Sequence, residues 1–111
     1  MMFGFAAERR RLLEAELVRV VEEFPRLGVH RVYVAGDLAT GAVDLDSDLA
    51  LLIVQTTDQP FHRRADFFVD HLRPQAGTRY LVYTPDEFEA LRETDRLLIE
   101  TLQLGEPIFV A

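Results

Sequence analysis

Three aspartates at alternate positions, Asp44, Asp46 and Asp48, follow closely on two glycines, Gly36 and Gly41. Spaced carboxylates are ligands for hard cations such as Mg²⁺ and Ca²⁺, and a glycine turn opens backbone N–H groups to phosphate. Two well-known arrangements are excluded by what is missing. Gly36 and Gly41 have the Gly-x-x-x-x-Gly spacing of a P-loop, but Ala42 and Val43 follow where Lys and Ser or Thr are required, and the chain contains no lysine. The aspartates begin like an EF-hand loop, yet its sixth position is Leu49 instead of glycine and its twelfth is Gln55 instead of glutamate. Without that turn and that bidentate ligand, the calcium reading fails.

A third arrangement fits. Val34-Ala35-Gly36-Asp37-Leu38-Ala39-Thr40-Gly41 is followed, after a short connection, by Asp46-Ser47-Asp48-Leu49-Ala50-Leu51-Leu52-Ile53. An apolar-Gly-Ser turn and then Ser-Asp-x-Asp entering an apolar strand is the signature of the DNA polymerase β-type nucleotidyltransferases, and the chain resembles their minimal nucleotidyltransferase (MNT) members. Tyr83-Thr84-Pro85-Asp86-Glu87-Phe88 and Leu102-Gln103-Leu104-Gly105-Glu106-Pro107-Ile108-Phe109 are similar to later segments of that family, so the resemblance runs through the whole chain. It implies transfer of a nucleoside monophosphate from an NTP. Two Mg²⁺ ions held by three carboxylates would stabilise the attacking and leaving oxygens. The Gly-Ser turn would cradle the polyphosphate at a helix N-terminus.

The departures from that pattern carry the expectation. The family's first carboxylate maps to Asp48 and is present, whereas the second maps to Ala50. The third maps to Arg79 or Tyr80 depending on alignment, and no acid lies between Asp70 and Asp86 to recover it. The phosphate-binding serine maps to Asp37 beside Gly36. At ~4 Å and an effective dielectric near 20, a carboxylate there repels each phosphate charge by about 4 kcal/mol. As a helix N-cap, Asp37 would instead contribute roughly 1 kcal/mol. One carboxylate holds Mg²⁺ only where substrate phosphates add ligands.

The resemblance therefore implies a pseudoenzyme with Asp48 as a vestigial metal ligand and no cofactor. The role left to it is that of a partner-binding module: one half of a pair with a helical HEPN-type protein, resembling a toxin–antitoxin module, or a homodimer. The alternative is a Mg²⁺-dependent nucleotidyltransferase in which Asp37 and Asp48 form an unusual metal pair and AMP passes to a protein or small molecule. Arg79 is either an ordinary exposed strand residue or reaches Asp48 and substitutes its charge for the metal. Asp44 and Asp46 read as loop residues. His30, His62 and His71 have no metal-like spacing, and His71 would complement a helix C-terminus.

The elements that must position these groups can be read from periodicity. Leu12, Leu13, Leu17, Val20, Val21 and Phe24 make a helical stripe over about 6–24, with Arg10/Glu14 and Arg19/Glu23 as pairs four apart and Pro25 as the stop. Strands are expected over about 31–35 and 48–55, the second apolar nearly throughout and so covered on both faces. Asp58 would cap a helix with Phe61, Ala65, Phe68 and Leu72 on one face, ending before Pro74. A third strand covers about 78–84. Thr84-Pro85-Asp86-Glu87 is a capping box that opens a helix burying Phe88 and Leu91. A second piece after Thr94 buries Leu97, Leu98 and Leu102, Gly105 closes it, and Pro107–Val110 forms a short last strand. Tyr80, Tyr83, Phe61, Phe67 and Phe68 read as core. The sum is one small α/β (α+β) domain with a mixed sheet of three to four strands flanked by helices.

Composition narrows the partners. The 111 residues are 49% apolar and 28% charged, which suits a single soluble domain. The net charge of −7 argues against a nucleic-acid backbone as partner. The one basic run, Arg9-Arg10-Arg11, lies among Glu8, Glu14 and Glu16 and reads as a solvated helix face. No apolar run approaches the roughly 20 residues of a membrane span, and the first residues lack the charge order of a secretory signal. Cysteine is absent, so there is no disulfide framework or thiolate site. The expected location is the cytoplasm.

Overall fold

Every residue of β2 (Leu49–Gln55) is buried, as a strand of consecutive apolar residues must be when helices cover both faces of its sheet. The computed structural model describes residues 3–111. α1 (Phe3–Val21) leads through a 3₁₀ turn (Phe24–Arg26) to β1 (Val29–Ala35), α2 (Gly36–Thr40) and β2. A second 3₁₀ turn (Phe61–Arg63) precedes α3 (Arg64–Leu72), β3 (Thr78–Tyr83), α4 (Pro85–Leu91), α5 (Arg96–Leu104) and β4 (Phe109–Val110). The sheet order is β3-β2-β1-β4. β1 is antiparallel to both β2 and β4, and β2 is parallel to β3. This is an α+β domain with a mixed four-stranded sheet.

Alternation along β2 sends its side chains into two layers. Leu49, Leu51 and Ile53 pack with Leu13 and Val20 of α1, Phe24, and Phe68 and Leu72 of α3. Leu52 and Val54 pack with Tyr33, Tyr83, Phe88 of α4 and Leu98 of α5. The capping box at Thr84 forms as its sequence requires, with the Glu87 N–H donating to Thr84 Oγ1 and the Thr84 N–H donating to Glu87 Oε1. Arg64, only 8% exposed, ties α3 to that box through two bonds to the Glu87 carboxylate (2.6 and 3.1 Å) and others to Val82 O and Gln59 O.

Several local expectations are corrected. α1 ends at Val21, before Pro25, which sits in the 3₁₀ turn. Leu12 lies on its outer side at 46% exposure, while Glu16 is buried. The helix-surface pairs are three apart rather than four: Arg19 with Glu16, and Arg11 with Glu8. Asp58 caps nothing, because α3 starts from Arg63 without a side-chain cap. The 3₁₀ turn leaves Phe61 48% exposed, and Phe67 is also exposed on α3. α5 follows Thr94 as expected, and Asp95 caps it by accepting from the Leu98 N–H.

Candidate functional site

The glycine turn and the aspartate run meet at one end of the sheet. Strand register sets Ala35 opposite Ala50 and Ala50 opposite Arg79, so the ends of β1, β2 and β3 form one row. Gly36 continues that row with φ +65°, a left-handed conformation that glycine adopts without strain. A Cβ on Gly36 would lie 3.2 Å from Ala50 Cβ and 3.7 Å from Arg79 Nη2. The three residues are thus in close approach, and the Arg79 guanidinium lies over the turn. Tyr80, the other alignment candidate, faces the opposite layer with Phe68. Burial, helped by the Glu16 carboxylate, pushes the Tyr80 phenol up to about 12.

Asp37 does not cap α2. The cap position is Ala35, with no side-chain bond, and Asp37 stands in the helix's first turn. Its carboxylate accepts a 2.6 Å hydrogen bond from the buried Ser47 hydroxyl. The Asp44 N–H in turn donates to Ser47 Oγ (2.9 Å), and the Asp46 N–H donates to Asp44 Oδ1 (2.8 Å). Asp37, Ser47 and Asp44 therefore clasp the loop between α2 and β2 to the glycine turn. Gly41, in the left-handed region at φ +82°, ends α2 and turns the chain into that loop.

Asp48 is paired with a cation, and it is not Arg79. Arg9 of α1 brings Nη2 to 3.8 Å from Asp48 Oδ1 and donates from Nε to Ser47 O at 2.9 Å. Arg10 donates to Gly41 O. Arg79 makes no ion pair with Asp48 among the described residues, which ends the expectation that it reaches that acid. The Arg9–Arg11 run is likewise corrected: Arg9 and Arg10 hold the site loop, and only Arg11 behaves as a solvated surface residue. Asp48 also lies against Gly77, whose N-terminal position to β3 places its carbonyl to accept from the Leu49 N–H (2.9 Å). A Cβ on Gly77 would collide with Asp48 Oδ1.

The charged side chains at this end of the sheet and on its loop are Asp37, Asp44, Asp46 and Asp48 with Arg9, Arg10 and Arg79. Among the described residues, no three His, Asp or Glu side chains come together as a metal-holding group. The side chains present do not fit a two-Mg²⁺ centre, since Ala50 offers no oxygen and Arg79 brings a positive charge to the third position. Sequence reasoning missed Arg9 and Ser47. The signal for Arg9 was present: it lies four residues before Leu13, on the core-facing stripe of α1.

Comparison of the chain with known protein families, curated proteins and solved structures finds no match to any of them.

Proposed function

We infer that this chain is a nucleotidyltransferase-like domain in which the one acid left of the ligand set for catalytic metal is taken up by an internal charge pair, and that it works as a partner-binding module. The observation that carries the reading is the Arg9–Asp48 pair (3.8 Å). The one acid left at a family metal position faces a guanidinium. Asp37 supports the same reading, because the residue in place of the phosphate-binding serine is itself an anion held by Ser47. In the closest functional analogy offered by the resemblance, the partner is a helical HEPN-type protein and the pair acts like a toxin and its antitoxin.

Titration with Mg²⁺-ATP, followed by calorimetry and thermal shift, tests the loss of catalysis. The expected result is no binding and no change in melting temperature. Saturable binding that Asp48→Ala removes would overturn the reading in favour of a Mg²⁺-dependent enzyme that transfers AMP to a protein or small molecule. Co-expression with a helical HEPN-type protein, should one be encoded beside this chain, tests the partner. A complex of fixed stoichiometry supports the pairing, and separate elution of the two proteins opposes it.

A further inference from the structure

A groove of about 480 Å³ runs between α1 and the loop before β2, lined by Phe5, Glu8, Arg9, Arg11, Leu12 and Leu45. Its apolar residues are open to solvent: Phe5 is 56% exposed, Leu12 46% and Leu45 50%. Large apolar side chains gathered on a surface mark an interaction site more often than scattered ones do. The charges around them are arranged in two halves. The helix side presents Glu8, Arg9 and Arg11 beside Phe5 and Leu12, with Arg9 turned to Asp48 and Arg11 outermost. The loop side presents Leu45 between two carboxylates, Asp44 and Asp46. The Asp46 side chain is exposed and makes no hydrogen bond or ion pair among the described residues.

We propose that the occupant of this groove is a second copy of the same chain, related by a two-fold axis, with the acid-Leu-acid loop of each copy seated on the Arg-bearing apolar face of α1 in the other. A two-fold interface requires a self-complementary patch, in which residue i meets j and j meets i. Here both complements stand on one patch. The axis brings Leu45 onto the partner's Phe5 and Leu12, and Asp46 towards the partner's Arg11. Arg11 already faces Glu8 within its own helix, but an exposed pair of that kind is worth little and is readily redirected. The net charge of −7 opposes association only weakly, because charges beyond about 8 Å are screened at physiological salt. This face does not rest on the nucleotidyltransferase-like reading, since Phe5, Arg11, Leu12, Leu45 and Asp46 are none of the positions on which that reading stands.

Sedimentation of the full chain over a concentration series tests it. The unmodified chain is expected to show a concentration-dependent dimer, and Leu45→Asp a monomer with an unchanged far-UV spectrum. Arg11→Asp and Asp46→Arg are each expected to weaken the dimer by about tenfold or more, and the double variant to restore it within roughly threefold, the signature of a direct pair. Should Leu45→Asp fail to fold, the charge-reversal pair decides alone. A chain that stays monomeric at high concentration overturns the proposal. So does a dimer indifferent to these substitutions, or a double variant no tighter than the single ones.

Discussion

Arg9 and Asp48 belong to elements far apart in the chain, and they meet at 3.8 Å where α1 crosses the loop before β2. Arg9 also donates to the Ser47 carbonyl, so one guanidinium fixes both the acid and the backbone next to it. The pair is partly solvated, with side-chain exposures of 26% and 43%, and its Coulomb energy is correspondingly small. The backbone bond contributes more, about 1 kcal/mol. Arg9→Ala is expected to destabilise by about 1–2 kcal/mol in urea denaturation. Gly77→Ala displaces the Asp48 carboxylate and should remove the ion pair from the other side. In the double variant the two losses should add to less than their sum. Full additivity would show that Arg9 and Asp48 are not coupled.

Acid should unfold this protein mainly through two carboxylates that tie elements together, Glu16 and Glu87; Glu23, also held low by Arg26, is on the surface of one turn and contributes little. Burial pushes the Glu16 carboxyl up, but bonds from Arg19 and the Gln75 N–H outweigh it and hold it below the ordinary carboxylate range. The Arg64 guanidinium holds Glu87 low in the same way. Both groups bind protons less readily folded than unfolded. Their contribution is therefore complete above the ordinary glutamate pKa of about 4.3 and is lost as pH falls through the lower folded values. The urea midpoint is expected to be flat near neutrality and to fall below about pH 4.5. Glu16→Gln, which removes one of the two titrations, should make that fall shallower. An identical slope in the variant would show that Glu16 is not among the controlling groups.

Arg64 gives a larger effect than any surface arginine. It is 8% exposed and holds Glu87, Val82 O and Gln59 O at once. Removing it leaves a buried carbonyl without its donor, while Glu87, 38% exposed and still bonded by the Thr84 N–H, is partly solvated, a loss of about 2–3 kcal/mol in all. Arg64→Ala is therefore expected to melt well below the unmodified chain by circular dichroism, whereas Arg79→Ala, exposed and without an ion pair among the described residues, should shift stability by less than about 0.5 kcal/mol.

The fold was legible because its signals are local. The apolar run of β2 demanded cover on both faces, and Thr84-Pro85-Asp86-Glu87 forms the capping box that its residue types specify. The site was legible only in part. Gly36, Ala50 and Arg79 converge as the motif spacing suggests, because strand register follows the apolar pattern. The partners of the charged groups were not legible. Whether Asp48 meets Arg9 or Arg79 depends on how α1 crosses the sheet, and whether Asp37 caps α2 or binds Ser47 depends on the path of the loop between them. Both are set by contacts remote in sequence: periodicity puts Arg9 on the core-facing side of α1 but does not say which acid it meets. Leu12 and Phe61 fell on expected core stripes and are exposed, Leu12 because the sheet covers only one side of α1 and Phe61 because it lies in the 3₁₀ turn before α3.

The resemblance to a metal-dependent fold can itself be tested by rebuilding the ligand set. Ala50 is 1% exposed and lies across the strand pair from Arg79, two residues after Asp48. Ala50→Asp alone introduces a carboxylate into a buried position beside a guanidinium. It is expected to destabilise the chain by about 2 kcal/mol, Arg79 offsetting part of the desolvation cost. Adding Arg79→Asp removes that cation and sets acids at 50 and 79 beside Gly36, with Asp48 at the entry to the same strand. Without a divalent ion their mutual repulsion should lower the melting temperature further. With Mg²⁺ at about 100 times its Kd, the linkage between binding and folding would return about 2.7 kcal/mol. The double variant should therefore melt higher in Mg²⁺ than in EDTA, while the unmodified chain melts alike in both. If the double variant is equally unstable in the two buffers, the geometry at this end of the sheet is not that of a metal centre with its ligands removed.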